Sequence, residues 1–427
     1  MHLNNSYKLF SIFLIFFATL SFFLGFYFDE NSAGAGTYNG DFAHIWKNLQ
    51  IFANNDISTS INHEDYLDSR TPIAYILHKF FNPFINSEIN FRRSVFAISL
   101  ITPVLFYYSL KKKFSSQENL LLLLITSTIF LSPYFRTSAY WGLEENYGII
   151  FLLISFLFLQ SFLEDKQEKD VKIYLKLFFL TLSSSLCLYF DQKLIFIPII
   201  CLLKIFYSDK IIKFKILSIV FYLIFSLPYV YLILLWGSLI PTSSAESRLL
   251  GDKIFLDHVG YAFTMIAFYL LPVLMFKFKN LSILTENFLS NRLNIYLILM
   301  FVAYLILLVF YSEFQNTIIL GKGFIQKIVA ILFENEFTGR IITYFSFLIS
   351  FIIILIFINK NYIGFLIIFY FTLLSLIIWP IFQEYFDPLI ILLVFTFFYE
   401  KLNINYNRSI ILYFYLSIFL IGANIYY

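Results

Sequence analysis

Charge, cysteine and glycine are all scarce in this 427-residue chain. Charged residues make up 13%, about half the share of an ordinary soluble domain, so much of the surface cannot face water. The two cysteines, Cys187 and Cys201, both fall inside apolar segments, which argues against a disulfide framework and a thiolate metal site. Fourteen glycines leave little room for the broken spans of secondary transporters, and neither a fixed-period repeat nor paired inverted halves are visible. A phosphate-cradling glycine loop, HExxH, GxSxG and a paired-cysteine motif are missing. Their absence argues against an ATP-driven pump or an enzyme of cytosolic nucleotides. No basic patch invites nucleic acid.

What is abundant is apolar. Hydrophobic residues reach 60%, the mean hydropathy is +0.79, and Phe, Ile and Leu recur in runs long enough for a hydrocarbon core of ~30 Å. Asn, Lys and Ile stand in for Ala, Gly and Arg almost throughout, the bias of an AT-rich bacterial genome. The pattern predicts an all-α integral membrane protein, one polytopic domain over residues 1–427, with about 13 transmembrane helices. The candidate spans are centred near residues 18, 102, 127, 154, 181, 200, 226, 267, 303, 350, 371, 392 and 417. The first apolar run, Leu9 to Phe28 behind Lys8, has the length of a retained signal anchor, although Ala33-Gly34-Ala35 mimics a cleavage site.

The loops alternate in sign. Eighteen of the thirty basic residues fall on loops of one parity, and nineteen of the twenty-seven acidic residues fall on the other. Short basic loops stay cytoplasmic, which puts Lys111–Lys113, Glu164–Lys172, Lys210–Lys215, Lys277–Arg292, Lys360 and Lys401–Arg408 inside. The expected topology is a multi-pass protein of a bacterial inner membrane, N-terminus cytoplasmic and C-terminus periplasmic. One outer loop, Asp29 to Arg93, is too long for a turn and too apolar for disorder. Within it, Asp41–Ala53 and Pro72–Phe84 read as amphipathic helices, the second with Pro at its first helical position. They either lie along the membrane surface or merely cap the bundle. A third such stretch, Phe324–Phe333, falls in a smaller outer loop, 313–340.

The functional question is what carboxylates do at the outer mouth of the bundle. Asp29 and Glu30 follow the first span directly. Asp41 opens the helix that carries His44, as a helix cap or as a carboxylate facing a cleft. Glu144 and Glu145 occupy the next outer loop, Arg136–Asn146, either ending spans at the water boundary or converging on a site with the first cluster. Asp191-Gln192-Lys193 interrupts an apolar stretch, and Lys193 either pairs with Asp191 or, with Arg248, holds a lipid-linked phosphate. Arg340 is a third candidate phosphate ligand. Glu384 and Tyr385 lie in an outer turn before Pro388, where a turn needs polar residues in any case.

This pattern resembles the GT-C superfamily of polytopic glycosyltransferases, among them protein O-mannosyltransferases, aminoarabinose transferases and the dolichyl-phosphate-glucose glucosyltransferase. The resemblance covers most of the chain as topology: one span, a long outer loop with two surface helices, then a many-span bundle. Asp29-Glu30 match the position of the family's first acidic motif, whereas Gly40-Asp41-Phe42-Ala43-His44 better match the motif leading into the helix. Ser69-Arg70-Thr71-Pro72-Ile73-Ala74-Tyr75 resembles the start of the second surface helix, and Tyr140–Asn146 the second acidic motif. Gln383-Glu384-Tyr385-Phe386 resembles a late Arg-Tyr motif in which Glu384 replaces the Arg. The resemblance implies sugar transfer from a polyprenyl-phosphate donor to a glycan, lipid or protein acceptor, among membrane lipids. Asp41, ahead of Asp29 and Glu30, would deprotonate the acceptor. His44, Arg70, Glu144, Glu145, Lys193, Arg248, Arg340, Glu384 and Tyr385 would bind substrate. Some members use a divalent metal, for which Glu144 and Glu145 are the candidate ligands. A precursor flippase would instead place charge at mid-membrane, and an O-antigen-type polymerase would carry its large outer loop later in the chain.

Overall fold

The structure, a computed structural model, describes residues 2–34, 36–68, 70–165, 171–241, 253–277, 292–311, 321–359, 361–398 and 402–427. Among the described residues every element is helical. Arg248, Lys360, Lys401, most of the Lys277–Arg292 loop and the first part of 313–340 lie outside them. The chain divides into two compact units, residues 1–247 with 416–427, and residues 248–415.

Nine described helices are long and apolar enough to cross a membrane, and a bent pair makes up to ten. That is the architecture of a multi-pass membrane protein, with fewer full-length spans than the thirteen apolar runs. The runs near 200, 371 and 392 form helices of only 11, 16 and 7 residues: Phe196–Phe206, Tyr362–Ile377 and Leu389–Phe395. At 1.5 Å per residue the first rises only about 17 Å. The run near 127 is broken, its parts Asn119–Leu131 and Pro133–Trp141 meeting at 69°. Pro133 causes the break, since it has no N–H for the preceding turn and biases Ser132 away from helix. Ser132 instead caps the new helix, accepting from the Phe135 amide at 3.0 Å. Arg136 to Trp141, read from the sequence as loop, is therefore a buried helix.

In the first unit, α1 (His2–Tyr27) is followed by α2 (Asp41–Asn54), α3 (Ile57–Ile61) and α4 (Ile73–Phe81). Next come α5 (Glu88–Ser99), α6 (Ile101–Lys113), α7 (Asn119–Ser127) and α8 (Pro133–Trp141). The unit continues with α9 (Glu145–Glu164), α10 (Val171–Phe190), α11 (Phe196–Phe206) and α12 (Ile212–Trp236). The amphipathic stretches expected near 41–53 and 72–84 are α2 and α4. Pro72 stands just before the second helix, and Gly40, with no side-chain bond, caps the first, so Asp41 is its first residue. Phe22 of α1 is fully buried, its ring within 4.8–5.6 Å of Phe96, Phe130, Phe135 and Tyr140.

Charge sorts to the two ends of this unit. At one end Lys8 pairs with Glu118 at 3.0 Å, Lys112 with Glu164, and Lys176 with Asp165 at 2.6 Å. Lys210 donates to the Asp165 carbonyl, so the chain has returned to that end by way of short α11. At the other end Arg92 pairs with Asp29 at 2.7 Å, and its guanidinium lies 3.8 Å from the Trp141 ring centroid. Arg136 grips Glu30 through both its Nε and Nη2, and Asn424 adds a third contact at 3.3 Å.

In the second unit, α13 (Leu256–Lys277) is the most buried span and packs along α16 (Glu336–Ile358), Gly260 lying against Phe347. Between them run α14 (Arg292–Tyr311) and α15 (Gly323–Leu332), the third amphipathic stretch; α17 (Tyr362–Ile377) and α18 (Leu389–Phe395) follow, and α19 (Tyr406–Tyr426) begins in this unit and has its last turns in the first. Long basic side chains close helix ends here. Lys277 donates to the Ile356 carbonyl at 3.0 Å, and Arg340 to the Val309 carbonyl at 2.7 Å.

Gly25 lets the Glu30–Arg136 pair form, because a Cβ there would overlap Glu30, Arg136 and Tyr140. Gly25→Ala should therefore destabilise the detergent-purified protein by about 1–3 kcal/mol, read as a lower midpoint in chemical unfolding. An unchanged midpoint would show that the pair does not hold α1 in place.

Candidate functional site

The sequence-predicted residues separate by environment. Asp29 and Glu30 are consumed by Arg92 and Arg136. Asp41 and His44 lie on the exposed face of α2, whose buried residues are Phe42, Ile45, Asn48, Leu49, Ile51 and Phe52. Lys193 pairs with Asp191 at 3.0 Å. In the second unit, Arg340 is engaged with helix-end carbonyls, and the Tyr385 hydroxyl donates to the Pro380 carbonyl at 3.4 Å beside half-buried Glu384. Gln383, Phe386 and Asp387 of that turn are buried, and the Gln383 amide donates to the Tyr269 hydroxyl at 2.9 Å.

Arg70, Glu144 and Glu145 come together in the first unit, joined by Asp68 and Asp191. Arg70 forms an ion pair with Glu145, their side chains 22% and 12% exposed, and Asp68 beside them is also only half-buried. The backbone explains the placement. Asn48 of α2 exchanges hydrogen bonds with Leu67, at 2.8 Å to its carbonyl and 3.3 Å from its amide. Asp68 then accepts from the Arg70 amide at 2.9 Å and from the Tyr75 hydroxyl of α4. Thr71 donates to the Tyr189 carbonyl at the end of α10. On the bundle side, Gly142 ends α8 in the left-handed region (φ 72°), which a side chain would disfavour, and turns the chain into Glu144 and Glu145 at the head of α9.

Glu144 is the unusual member. It is 1% exposed and stands at the N-cap of α9 without making a capping bond. Among the described residues neither of its oxygens accepts a hydrogen bond. The Tyr75 hydroxyl is close enough to favour its ionised form, yet that proton is directed at Asp68. Buried polar groups are almost always satisfied, so a buried carboxylate with no partner among the described residues calls for an explanation beyond packing. The buried Tyr66 hydroxyl, within electrostatic reach of Asp68 and Glu144, also has no partner among the described residues.

Burial pushes the Glu144 carboxyl well above the ordinary carboxylate range; Asp68 and Glu145 push the same way, and Arg70 opposes them. Asp191 is also raised by burial, against the pull of Lys193. Burial alone would lower Arg70, but Glu145, Asp68, Glu144 and Asp191 outweigh it and hold the guanidinium protonated. His78 of α4 is lowered to about 4 by burial; its Nε2 meets the Tyr147 hydroxyl at 2.8 Å. The cations beside these carboxylates are Arg70 and Lys193, and among the described residues no three His, Cys, Asp or Glu side chains are grouped to hold a metal ion.

Asp68, Tyr75 and Asn48 were missed as site residues because their roles arise from packing. The one local signal was Asp68 two residues ahead of Arg70, just before a helix start. Arg248 lies outside the described residues. No protein-family model, curated protein or solved structure matches the chain.

A raised Glu144 makes the folded state hold a proton that the unfolded chain releases near 4.5. Its contribution to stability is full below that value and is lost as pH rises toward the folded-state pKa. His78 acts oppositely, costing stability as pH falls from 6.5 toward about 4, but it is common to both proteins in a comparison. Glu144→Gln should therefore gain stability over the parent progressively above pH 5, by about 1 kcal/mol or more near pH 8. Parallel stability–pH curves would show that Glu144 ionises as freely folded as unfolded.

Proposed function

We propose that this chain is a membrane glycosyltransferase of the GT-C kind, moving a sugar from a polyprenyl-phosphate donor to an acceptor at the outer face of a bacterial inner membrane. The observation that carries the reading is Glu144, a buried carboxylate with no donor among the described residues, within the field of the Arg70 guanidinium. Its support includes the gathering of Lys8, Lys112 and Lys176 at the opposite end of the same unit, as expected if that end faces the cytoplasm.

Glu144 is the general base in this reading. A carboxylate whose proton affinity is raised by burial is, once ionised, a stronger base than an ordinary one, whereas Asp29 and Glu30 are already engaged in ion pairs with Arg92 and Arg136. The acceptor oxygen attacks the anomeric carbon as its proton passes to Glu144. The bond from that carbon to the phosphate oxygen breaks, and the electron pair leaves with the polyprenyl phosphate. Arg70, freed from Glu145 by the incoming anion, steadies the departing phosphate with its planar fork, and Lys193 lies within the same network through Asp191.

Purified protein given a panel of radiolabelled polyprenyl-phosphate sugars should release polyprenyl phosphate from at least one of them. Glu144→Gln should lower that rate by about 10²–10⁴-fold with normal insertion and yield, while Asp41→Asn keeps most of it. The reverse ranking would return the base to Asp41. Reporter fusions that place residue 54 in the cytosol would refute the orientation.

A further inference from the structure

The charges of the Glu144 cluster do not balance. Four carboxylates, Asp68, Glu144, Glu145 and Asp191, act on one another and on Arg70. Arg70 is paired with Glu145 and Lys193 with Asp191, which leaves Glu144 without a cation of its own. Its two oxygens and the Asn146 Oδ1, two residues along, are three buried acceptors with no donor among the described residues. A neutral hydroxyl brings one proton to such a place. A primary ammonium brings three, together with the missing charge. Aromatic faces are at hand as well, since Tyr66 and Tyr75 meet edge to face at 6.2 Å and both feel the Glu144 charge.

We propose that the acceptor carries a protonated primary amine beside its reacting hydroxyl, as in a 2-amino sugar or an ethanolamine headgroup, and that Glu144 and Asp68 seat that ammonium. The assignment of the amine to the acceptor rests on the glycosyltransferase reading; the ammonium seat itself is a binding property. The incoming cation replaces the proton that Glu144 holds when the site is empty. Glu144 is thereby ionised at the moment the neighbouring hydroxyl has to be deprotonated. An acceptor without the amine leaves Glu144 protonated and the base switched off, so the same contact sets specificity.

The test is thermal unfolding of the full-length protein in detergent at constant ionic strength and pH. D-glucosamine is compared with N-acetylglucosamine, and ethanolamine with ethylene glycol. The amines should raise the midpoint in a saturable way and the neutral analogues should not. Glu144→Gln should need roughly tenfold or more glucosamine for the same shift, while Glu64→Gln, on the exposed surface, should match the parent. A larger shift in nanodiscs containing phosphatidylethanolamine than with free glucosamine identifies a lipid headgroup as the source; the converse identifies a sugar. Equal shifts from amines and neutral analogues, or an undiminished response in Glu144→Gln, would overturn the ammonium seat even if sugar transfer is found. Amine binding with no turnover of any polyprenyl-phosphate sugar would instead remove the glycosyltransferase reading and keep the seat.

Discussion

Arginine–carboxylate pairing at one end of the first unit is the constraint on which its remaining architecture depends. Arg92 and Arg136 take Asp29 and Glu30 as the chain leaves α1, and Arg70 takes Glu145 at the head of α9. Arg92 and Arg136 are almost wholly buried, and a buried guanidinium deprived of its acid costs about 3–5 kcal/mol. These pairs must therefore form as the segment between the first two spans settles on the bundle. They tie that segment down at both ends and draw α2 and α4 against α8 to α10. The pairing also sorts the acids by what they remain able to do. A carboxylate gripped through both oxygens by one arginine has little room for a substrate proton, and Glu30 is gripped in this way. What remains after pairing is Glu144.

Much of this organisation was legible in the chain. Length and apolarity are one-dimensional quantities, so the helical membrane character could be read directly, as could α2, α4 and α15 with their one-sided apolar faces. Alternation of charge was equally readable, and the ion pairs of Lys8, Lys112 and Lys176, with the bond from Lys210 to a carbonyl at the same end of the first unit, are in keeping with it. The number of full spans was not legible. Hydropathy registers Phe196–Phe206 and Leu389–Phe395 as apolar runs but says nothing about where a helix stops. Pro133, in contrast, was a visible signal whose consequence was underestimated. It turned an expected loop into the buried helix that carries Arg136, Tyr140 and Trp141.

The candidate site was legible as an inventory and illegible as an arrangement. Asp29, Glu30, Asp41, Glu144 and Glu145 all stand out as acids on outer loops, and no sequence spacing says which of them will meet an arginine. Arg92 and Arg136 belong to no motif, and each falls at the boundary of an expected apolar span, where a basic residue is ordinary. Their partners are 63 and 106 residues away, and pairings over such separations leave no local trace. Asn48 shows the same limit from the other side. It looks like one polar residue on an amphipathic helix, yet it is 2% exposed and holds Leu67 in place, and through Leu67 it positions Asp68.

Glu144 is hard to explain as a structural residue. An acid at a helix N-cap is normally there to accept the first free amides, which is worth about 0.5–2 kcal/mol, and Glu144 forgoes that bond. An acid in a buried site is normally there to neutralise a cation, and the nearest guanidinium is taken by Glu145. Packing alone would be served as well by Gln or Met, neither of which would face the Asp68 charge. A residue that satisfies none of the ordinary reasons for its position lowers the stability of the fold that holds it. Such costs are characteristic of groups kept for what they do to a ligand. Here the cost is borne at the one place where the segment between the first two spans, the head of α9 and the end of α10 converge. A ligand reaching Glu144 would pass the Arg70–Glu145 pair, which is more open to solvent than the Lys193–Asp191 pair beside it. Binding and the release of that pair are in this way the same event.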